Sequence, residues 1–220
     1  MSEATAIVAA FAKQRVRSKF VCTVSLRSLQ LAEHDKELAN VYEEADLVLA
    51  SSPSVIWLAR VAGRSTLECI SVKDLMQQVG HVSAEGDCGV YLLGGKPGSS
   101  IRTTDALRRV HPGANIVGQY CPSDALFDTF DEQMKIKALI RRAAPDILLV
   151  AFESPLQEKW IRTNLLELNV PVAIGVGNAF DTMEKTSRSI EGCIDGIQFF
   201  VRTALSMSFQ RIIALIRSDD

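Results

Sequence analysis

Two glycine-rich loops carry the residues best suited to hold a phosphate. The first is Gly94-Gly95-Lys96-Pro97-Gly98-Ser99-Ser100, which follows the apolar run Cys88 to Leu93 and precedes a helical pattern from about Ser100 to Val110. Glycines let backbone N–H groups approach an anion, and the following helix points its positive end there. The second is Gly175-Val176-Gly177-Asn178, with the same physical logic. Each also reads as a tight strand–helix turn, and the pattern alone does not choose. The first loop is not a Walker loop, which needs GxxxxGK[ST]. Nor is it a full dinucleotide fingerprint, because the next strand reaches Val117-Gly118-Gln119 without the acid such a site uses. Gln157 and Glu158 open a helix near the second loop. Gln157 could hydrogen-bond a base or ribose, and Glu158 a ribose hydroxyl; equally, the pair could cap the helix and complement its dipole. Asp181, just past the loop, reads as another polar contact or as a helix cap.

These residues hang on the stretch Pro145 to Phe180, PDILLVAFESPLQEKWIRTNLLELNVPVAIGVGNAF. Ile147 to Ala151 and Val170 to Ile174 are short continuous apolar runs, as expected of strands buried on both faces. Between them Ser154 suits a helix N-cap, Pro155 the first helical position, and Gln157 the reciprocal place of a capping box. Strand, helix and strand make a right-handed crossover unit, so both loops leave carboxyl ends of strands, where open α/β sheets bind ligands.

The rest of the chain repeats that alternation. Strands are expected at Phe20 to Val24, Asp46 to Ala50, Cys88 to Leu93 and Asn115 to Gln119. Helices are expected over Leu26 to Tyr42, after Ser51-Ser52-Pro53-Ser54, over Val72 to Val79, and over Phe130 to Ala144. In the last, Ile136, Leu139, Ile140 and Ala143 recur at i, i+3, i+4 and i+7. Ile190 to Met207 is also helically patterned. The fold class is therefore α/β: a single Rossmann-like domain with a mainly parallel sheet and helices on both faces. Residues 1–19 read as an N-terminal helix or arm, 20–208 as the domain, and 209–220 as a short amphipathic tail. In the tail, Phe209, Ile212, Ile213, Leu215 and Ile216 lie among Arg211 and Arg217. It could touch a membrane surface or dock on the parent domain.

Composition narrows the class. In 220 residues, 47% are hydrophobic and 23% charged, with a net charge of −2, so no basic surplus points to nucleic acid. The apolar runs are too short for a membrane span. The N-terminus has its acid before the apolar part and its bases after, the wrong order for a signal peptide. The five cysteines (Cys22, Cys69, Cys88, Cys121, Cys193) form no CxxC pair and read as reduced thiols of a cytoplasmic protein. His34, His81 and His111 make no metal-ligand pattern.

Read together, ADLVLA with a following Trp57, VYLLGGKPG, PDILLVAFESPLQEKW and VAIGVGNAFD resemble the WecG/TagA/CpsF family of bacterial glycosyltransferases, from about Thr23 to Arg202. The resemblance implies an inverting enzyme of surface-polysaccharide synthesis. It would transfer an N-acetylhexosamine, typically N-acetylmannosamine, from UDP to a polyprenyl-diphosphate-linked sugar. It implies no metal and no cofactor, and a place at the inner face of the cytoplasmic membrane. The reading leaves room for an oligomer.

The resemblance also locates a site and its departures. The family's Thr-x-Asn appears as Thr23-Val24-Ser25, with Thr23 expected to orient the acceptor or the sugar. The proposed catalytic aspartate of the family falls at Ser51, which cannot deprotonate a hydroxyl at neutral pH as a carboxylate can. The family's Gly-x-Pro-Lys-Gln-Glu appears as Glu153-Ser154-Pro155-Leu156-Gln157-Glu158, which loses a glycine and a lysine. Glu153 is the candidate substitute base, the alternative being a solvated loop acid. Arg-Ala-Pro appears as Arg188-Ser189-Ile190, and Glu-Trp-x-x-Arg as Gln198-Phe199-Phe200-Val201-Arg202. Substrate contacts are expected from Ser25, Gly94, Gly95, Lys96, Gln157, Glu158, Gly175, Gly177, Asn178, Asp181 and Arg202. The lost carboxylate and lysine support a second reading: a member that binds a nucleotide-sugar or a partner protein without catalysis, to regulate or scaffold. A Rossmann-type dinucleotide enzyme is the third.

Overall fold

The computed structural model describes residues 3–14, 17–61, 70–86, 88–123 and 125–183. Within them, six strands form one sheet: β1 (Lys19–Val24), β2 (Leu47–Ala50), β3 (Val90–Gly94), β4 (Ile116–Tyr120), β5 (Ile147–Ala151) and β6 (Val172–Gly175). Their order is β2-β1-β6-β5-β3-β4, and every pairing is parallel. The sheet is thus wholly, not just mainly, parallel. The helices are α1 (Glu3–Gln14), α2 (Leu26–His34), α3 (Lys36–Glu44), α4 (Pro53–Val61), α5 (Val72–Gly86), α6 (Ser99–Val110), α7 (Phe130–Ala143), α8 (Leu156–Leu168) and the short α9 (Ala179–Thr182).

Alternation along the strands divides the core in two. From β5, Leu148 and Val150 join a cluster with Leu38 and Tyr42 of α3, Ile136 and Ile140 of α7, and Trp160 and Ile161 of α8. Ile147, Leu149 and Ala151 face the other way, towards Val8 of α1, Leu75 and Met76 of α5, Leu107 of α6 and Phe180 of α9. Helices on both faces explain the unbroken apolar strands: every residue of β3, β5 and β6 is buried. The N-terminal segment contributes a helix, α1, which buries Val8 and Ala12 in the second cluster.

Three local expectations are corrected. The helix expected from Leu26 to Tyr42 is two helices, broken at Asp35. There the backbone is extended, and Oδ1 accepts from the N–H groups of Glu37 and Leu38, each at 3.1 Å. A short carboxylate competes for backbone N–H groups and so starts a new helix rather than continuing the old one. The helix expected at Val72 to Val79 runs on to Gly86, because Val82 and Ser83 are also buried and Ser83 Oγ donates to Cys88 O at 2.7 Å. The capping box at Ser154 does not form. α8 begins at Leu156 with Pro155 as its N-cap and no side-chain cap hydrogen bond. Ser154 Oγ instead donates to the carboxylate of Glu158, at 2.5 Å. A charged acceptor outcompetes the neutral capping exchange.

Asp35 also accepts from Lys159 Nζ at 2.7 Å, and Lys159 reaches Glu37 at 2.8 Å. The Lys159 hydrogen bond, with those from the α3 backbone, holds the Asp35 carboxyl below its ordinary value. A folded-state value below the unfolded one means that this stabilisation is full above the unfolded carboxylate value. It fades as pH falls through the depressed one. Asp35→Ala is expected to cost about 1 kcal/mol at neutral pH. Urea midpoints should show a smaller gap between the two proteins in strong acid than at neutral pH; an equal gap would contradict the assignment.

Candidate active site

The strand register brings the expected loops to one edge. Gly94 pairs with Ala151, Val150 with Gly175, and Val24 with Ala50, so β3, β5, β6, β1 and β2 end at nearly one level. Backbone bonds then close the edge. Gly95 N donates to Ala151 O and Val176 N to Val150 O, both at 2.8 Å. Gly94 holds φ +98° and Gly95 φ +77°, in the left-handed region that favours glycine. At Gly94 a Cβ would also come within 2.6 Å of Ala151 O, so backbone packing and conformation both require glycine there.

Thr23 is buried and donates from Oγ1 to Gly175 O at 2.7 Å, which ties the end of β1 to the end of β6. Ser51 donates twice to Val24 O, from N at 2.9 Å and from Oγ at 2.8 Å. Its hydroxyl proton is therefore committed to the backbone. Gln157 is buried with its amide held at both ends: Oε1 accepts from Gly177 N at 2.8 Å, and Nε2 donates to Glu158 Oε1 at 2.9 Å. On the other side, Asp181 Oδ1 accepts from Lys96 N at 3.2 Å and joins the two glycine loops.

Glu158 lies behind this layer, 1% exposed. Its Oε1 accepts from Ser154, Gln157 and, at 3.4 Å, Tyr42 OH. Its Oε2 is buried and unpartnered among the described residues. Burial, reinforced by the nearby Glu158 charge, pushes both the Cys22 thiol and the Tyr42 phenol up. Those groups stay neutral, and Gln157 links Glu158 to the backbone of Gly177.

Two adjoining cavities open at this edge. One, of about 190 Å³, is lined by Thr23, Ser25, Ser51 and Gln157. The other, of about 440 Å³, is lined by Gly95, Lys96 and Asp181. Glu153, Gly177 and Asn178 line both. The structure thus groups ten of the expected site residues around one divided pocket. Gly94, Gly175 and Glu158 stand in the wall behind it. Arg202 and the stretch 188–190 lie outside the described residues, as does the tail.

Some lining residues were not among those expected. Arg27, in the first turn of α2, faces the smaller cavity and has no ion-pair partner among the described residues. Phe127 and Asp128, from the loop after β4, line the larger one. Arg27 had a readable signal, since it sits just past the carboxyl end of a predicted strand. Phe127 and Asp128 had none, because nothing local shows that this loop folds back over β5. Among the described residues, no three His, Cys, Asp or Glu side chains gather as a metal site would require.

A model of the glycosyl transferase WecG/TagA/CpsF family matches residues 1–190. The chain belongs to this family. In this WecG/TagA/CpsF glycosyltransferase-family protein, the glycine loops and Gln157 stand at the strand-edge pocket. It carries Ser51 where the family resemblance places an aspartate, and the matched region ends before Arg202.

The glycines separate structural from ligand-facing constraint. A Cβ at Gly177, where φ is +55°, would meet nothing within 4 Å. Gly177→Ala should therefore cost only the left-handed strain, about 1–2 kcal/mol. Gly94→Ala adds the clash with Ala151 and should cost about 3 kcal/mol or more. Equal losses in thermal or denaturant unfolding would refute this division of roles.

Proposed function

We propose that this protein transfers an N-acetylhexosamine from a UDP-sugar to a polyprenyl-diphosphate-linked sugar, with inversion. The observation that carries the reading is Glu153, which lines both cavities and so stands where a donor in one would meet an acceptor in the other. Each cavity also offers one cation to diphosphate charge, Arg27 in the smaller and Lys96 in the larger. Arg27 supplies the kind of charge that is lost where Leu156 replaces the family's lysine.

The chemistry is a single displacement. The acceptor hydroxyl oxygen attacks the anomeric carbon, and a new C–O bond forms as the bond to the UDP oxygen breaks. UDP leaves with the electron pair, and the hydroxyl proton passes to the Glu153 carboxylate. Ser51 cannot take that proton, since its own hydroxyl already donates to Val24 O. Gly95 and Gly177 give the donor backbone room. Gln157 keeps the Gly177 loop in place, while Asn178, Asp181 and Ser25 supply polar contacts. Thr23, held on Gly175 O, sets the floor beneath the sugar.

The second reading is a non-catalytic member that binds a nucleotide-sugar or a partner protein. Ser51 and Leu156 favour it, because each replaces a charged family residue with an uncharged one. The dinucleotide alternative fares worse. β4 brings Gln119, not an acid, to its carboxyl end, and Gln119 Oε1 is occupied by Thr104 Oγ1 at 2.6 Å. Among the described residues no helix is long and apolar enough to cross a membrane. Contact with a membrane surface would fall to the 209–217 tail.

UDP-N-acetylmannosamine turnover on a lipid-diphosphate-linked sugar, measured beside UDP binding, tests the proposal. Glu153→Gln should abolish turnover and spare UDP binding. Ser51→Asp should raise turnover by up to about 10²–10⁴-fold, the usual worth of a general base. UDP binding without turnover, unchanged by either substitution, would put the binding protein in first place.

A further inference from the structure

Three acids are buried among the described residues, and two have an evident structural partner. Glu132 has Lys135 at 3.6 Å, and Asp146 accepts from Gly89 N at 2.8 Å. Glu158 differs. It is the most deeply buried of the three, and no cation reaches it among the described residues. Its donors are Ser154 Oγ, Gln157 Nε2 and Tyr42 OH, all neutral and all on Oε1, while Oε2 is buried with no partner. A carboxylate taken out of water without a cation opposes folding, and a neutral side chain of the same shape would oppose it less. Native structures rarely leave such an oxygen unsatisfied, and each one calls for an explanation.

The explanation lies in what the carboxylate imposes on Gln157. A carboxylate only accepts, and a backbone N–H only donates. The Gln157 amide is held between one of each: Nε2 faces Glu158 at 2.9 Å, and Oε1 faces Gly177 N at 2.8 Å. Turned over, the amide would set oxygen against carboxylate and N–H₂ against N–H. Both contacts therefore enforce the same orientation. The amide also lies against Gly175, where a Cβ would stand 3.1 Å from its carbon. Gly177 and Asn178 belong to the wall that both cavities share, whereas Glu158 lines neither cavity. What holds the Gly177 N–H thus sets part of that wall from outside the pocket.

We propose that Glu158 is a positioning residue for the strand-edge pocket: its carboxylate fixes the Gln157 amide, and the amide holds the Gly177–Asn178 wall where a ligand meets it. The consequence for ligand binding rests on the transferase reading; the restraint on Gly177 does not. Glu158→Gln leaves every lining residue unchanged. It removes a buried charge and keeps both the size and an acceptor oxygen, but the new amide can also donate, so it no longer enforces one orientation of Gln157. Order in the pocket wall falls while global stability holds, a separation that a simple packing role does not produce.

Amide hydrogen exchange of the full chain without ligand, resolved at Gly177 and Val176, tests the restraint. Val176 N is held by Val150 O, a backbone bond that does not involve Glu158. Replacing a hydrogen bond to a charged group by one to a neutral group is worth about tenfold. The Gly177 amide of Glu158→Gln should therefore exchange about tenfold faster, with Val176 unchanged. Glu158→Met, which removes the acceptor altogether, should exceed that; if it does not fold, Glu158→Gln carries the test alone. The unfolding midpoint of Glu158→Gln should hold or rise, and its affinity for UDP should fall by about the same tenfold factor. Three results would each overturn the proposal: an unchanged Gly177 rate, a lower midpoint with Gly177 and Val176 accelerated alike, or UDP bound by Glu158→Gln as tightly as by the unaltered protein. If the unaltered protein binds no UDP, the transferase reading fails, and the exchange contrast between Gly177 and Val176 still decides this one.

Discussion

The carbonyl of Ala151 is the most constrained point of the structure. It ends the central strand β5, accepts from Gly95 N, and leaves no space for a Cβ on Gly94. That contact turns the chain sharply after β3 and lays the Gly94–Gly98 loop across the sheet edge. Phe152, next in sequence, packs against Phe127 at 4.9 Å and Trp160 at 6.0 Å between ring centres. Those contacts fix the direction in which Glu153 leaves the strand. The divided pocket follows from this geometry: its shared wall is built where β5 and β6 end, not from a loop closing over the site.

Behind that wall is a buried polar unit. Glu158 gathers Ser154, Gln157 and Tyr42 on one oxygen, and Gln157 passes the restraint to the backbone of Gly177. In a low-dielectric interior such a chain holds its members firmly, because any one left unpaired costs a full desolvation penalty. The Gly177 loop is therefore fixed by α8 from behind while its front stays open. That arrangement commits the Gly177 N–H to Gln157 and leaves Gly177 and Asn178 to line the pocket on their other side.

Ser51, where the family resemblance places an aspartate, is bonded into the sheet. The serine hydroxyl bridges β2 to β1 through Val24 O, a bond that an ionised aspartate could not donate. Position 51 is part of the scaffold, and the acid that lines both cavities is Glu153, just past the end of β5.

The strands were legible from the sequence because a parallel sheet covered on both faces needs continuous apolar runs, and Ile147 to Ala151 is such a run. The glycine loops were legible for a related reason: a chain leaving a packed strand into a helix must turn at once. Local reasoning went astray where a distant partner competed with a near one. Ser154 was set to cap its own helix but is taken by the buried carboxylate of Glu158. Asp35 interrupts a pattern that periodicity alone carried through. Among site residues, the sequence placed Thr23, Ser25, Ser51, Glu153 and Gln157 at carboxyl ends of strands or just beyond them, by order alone. Only the tertiary structure decided that they share a pocket, that Glu158 stands behind Gln157 and not beside it, and that Arg27 and Asp128 join them. Strand order is set by long-range packing of helices on the two faces, and no local pattern encodes which strand ends become neighbours.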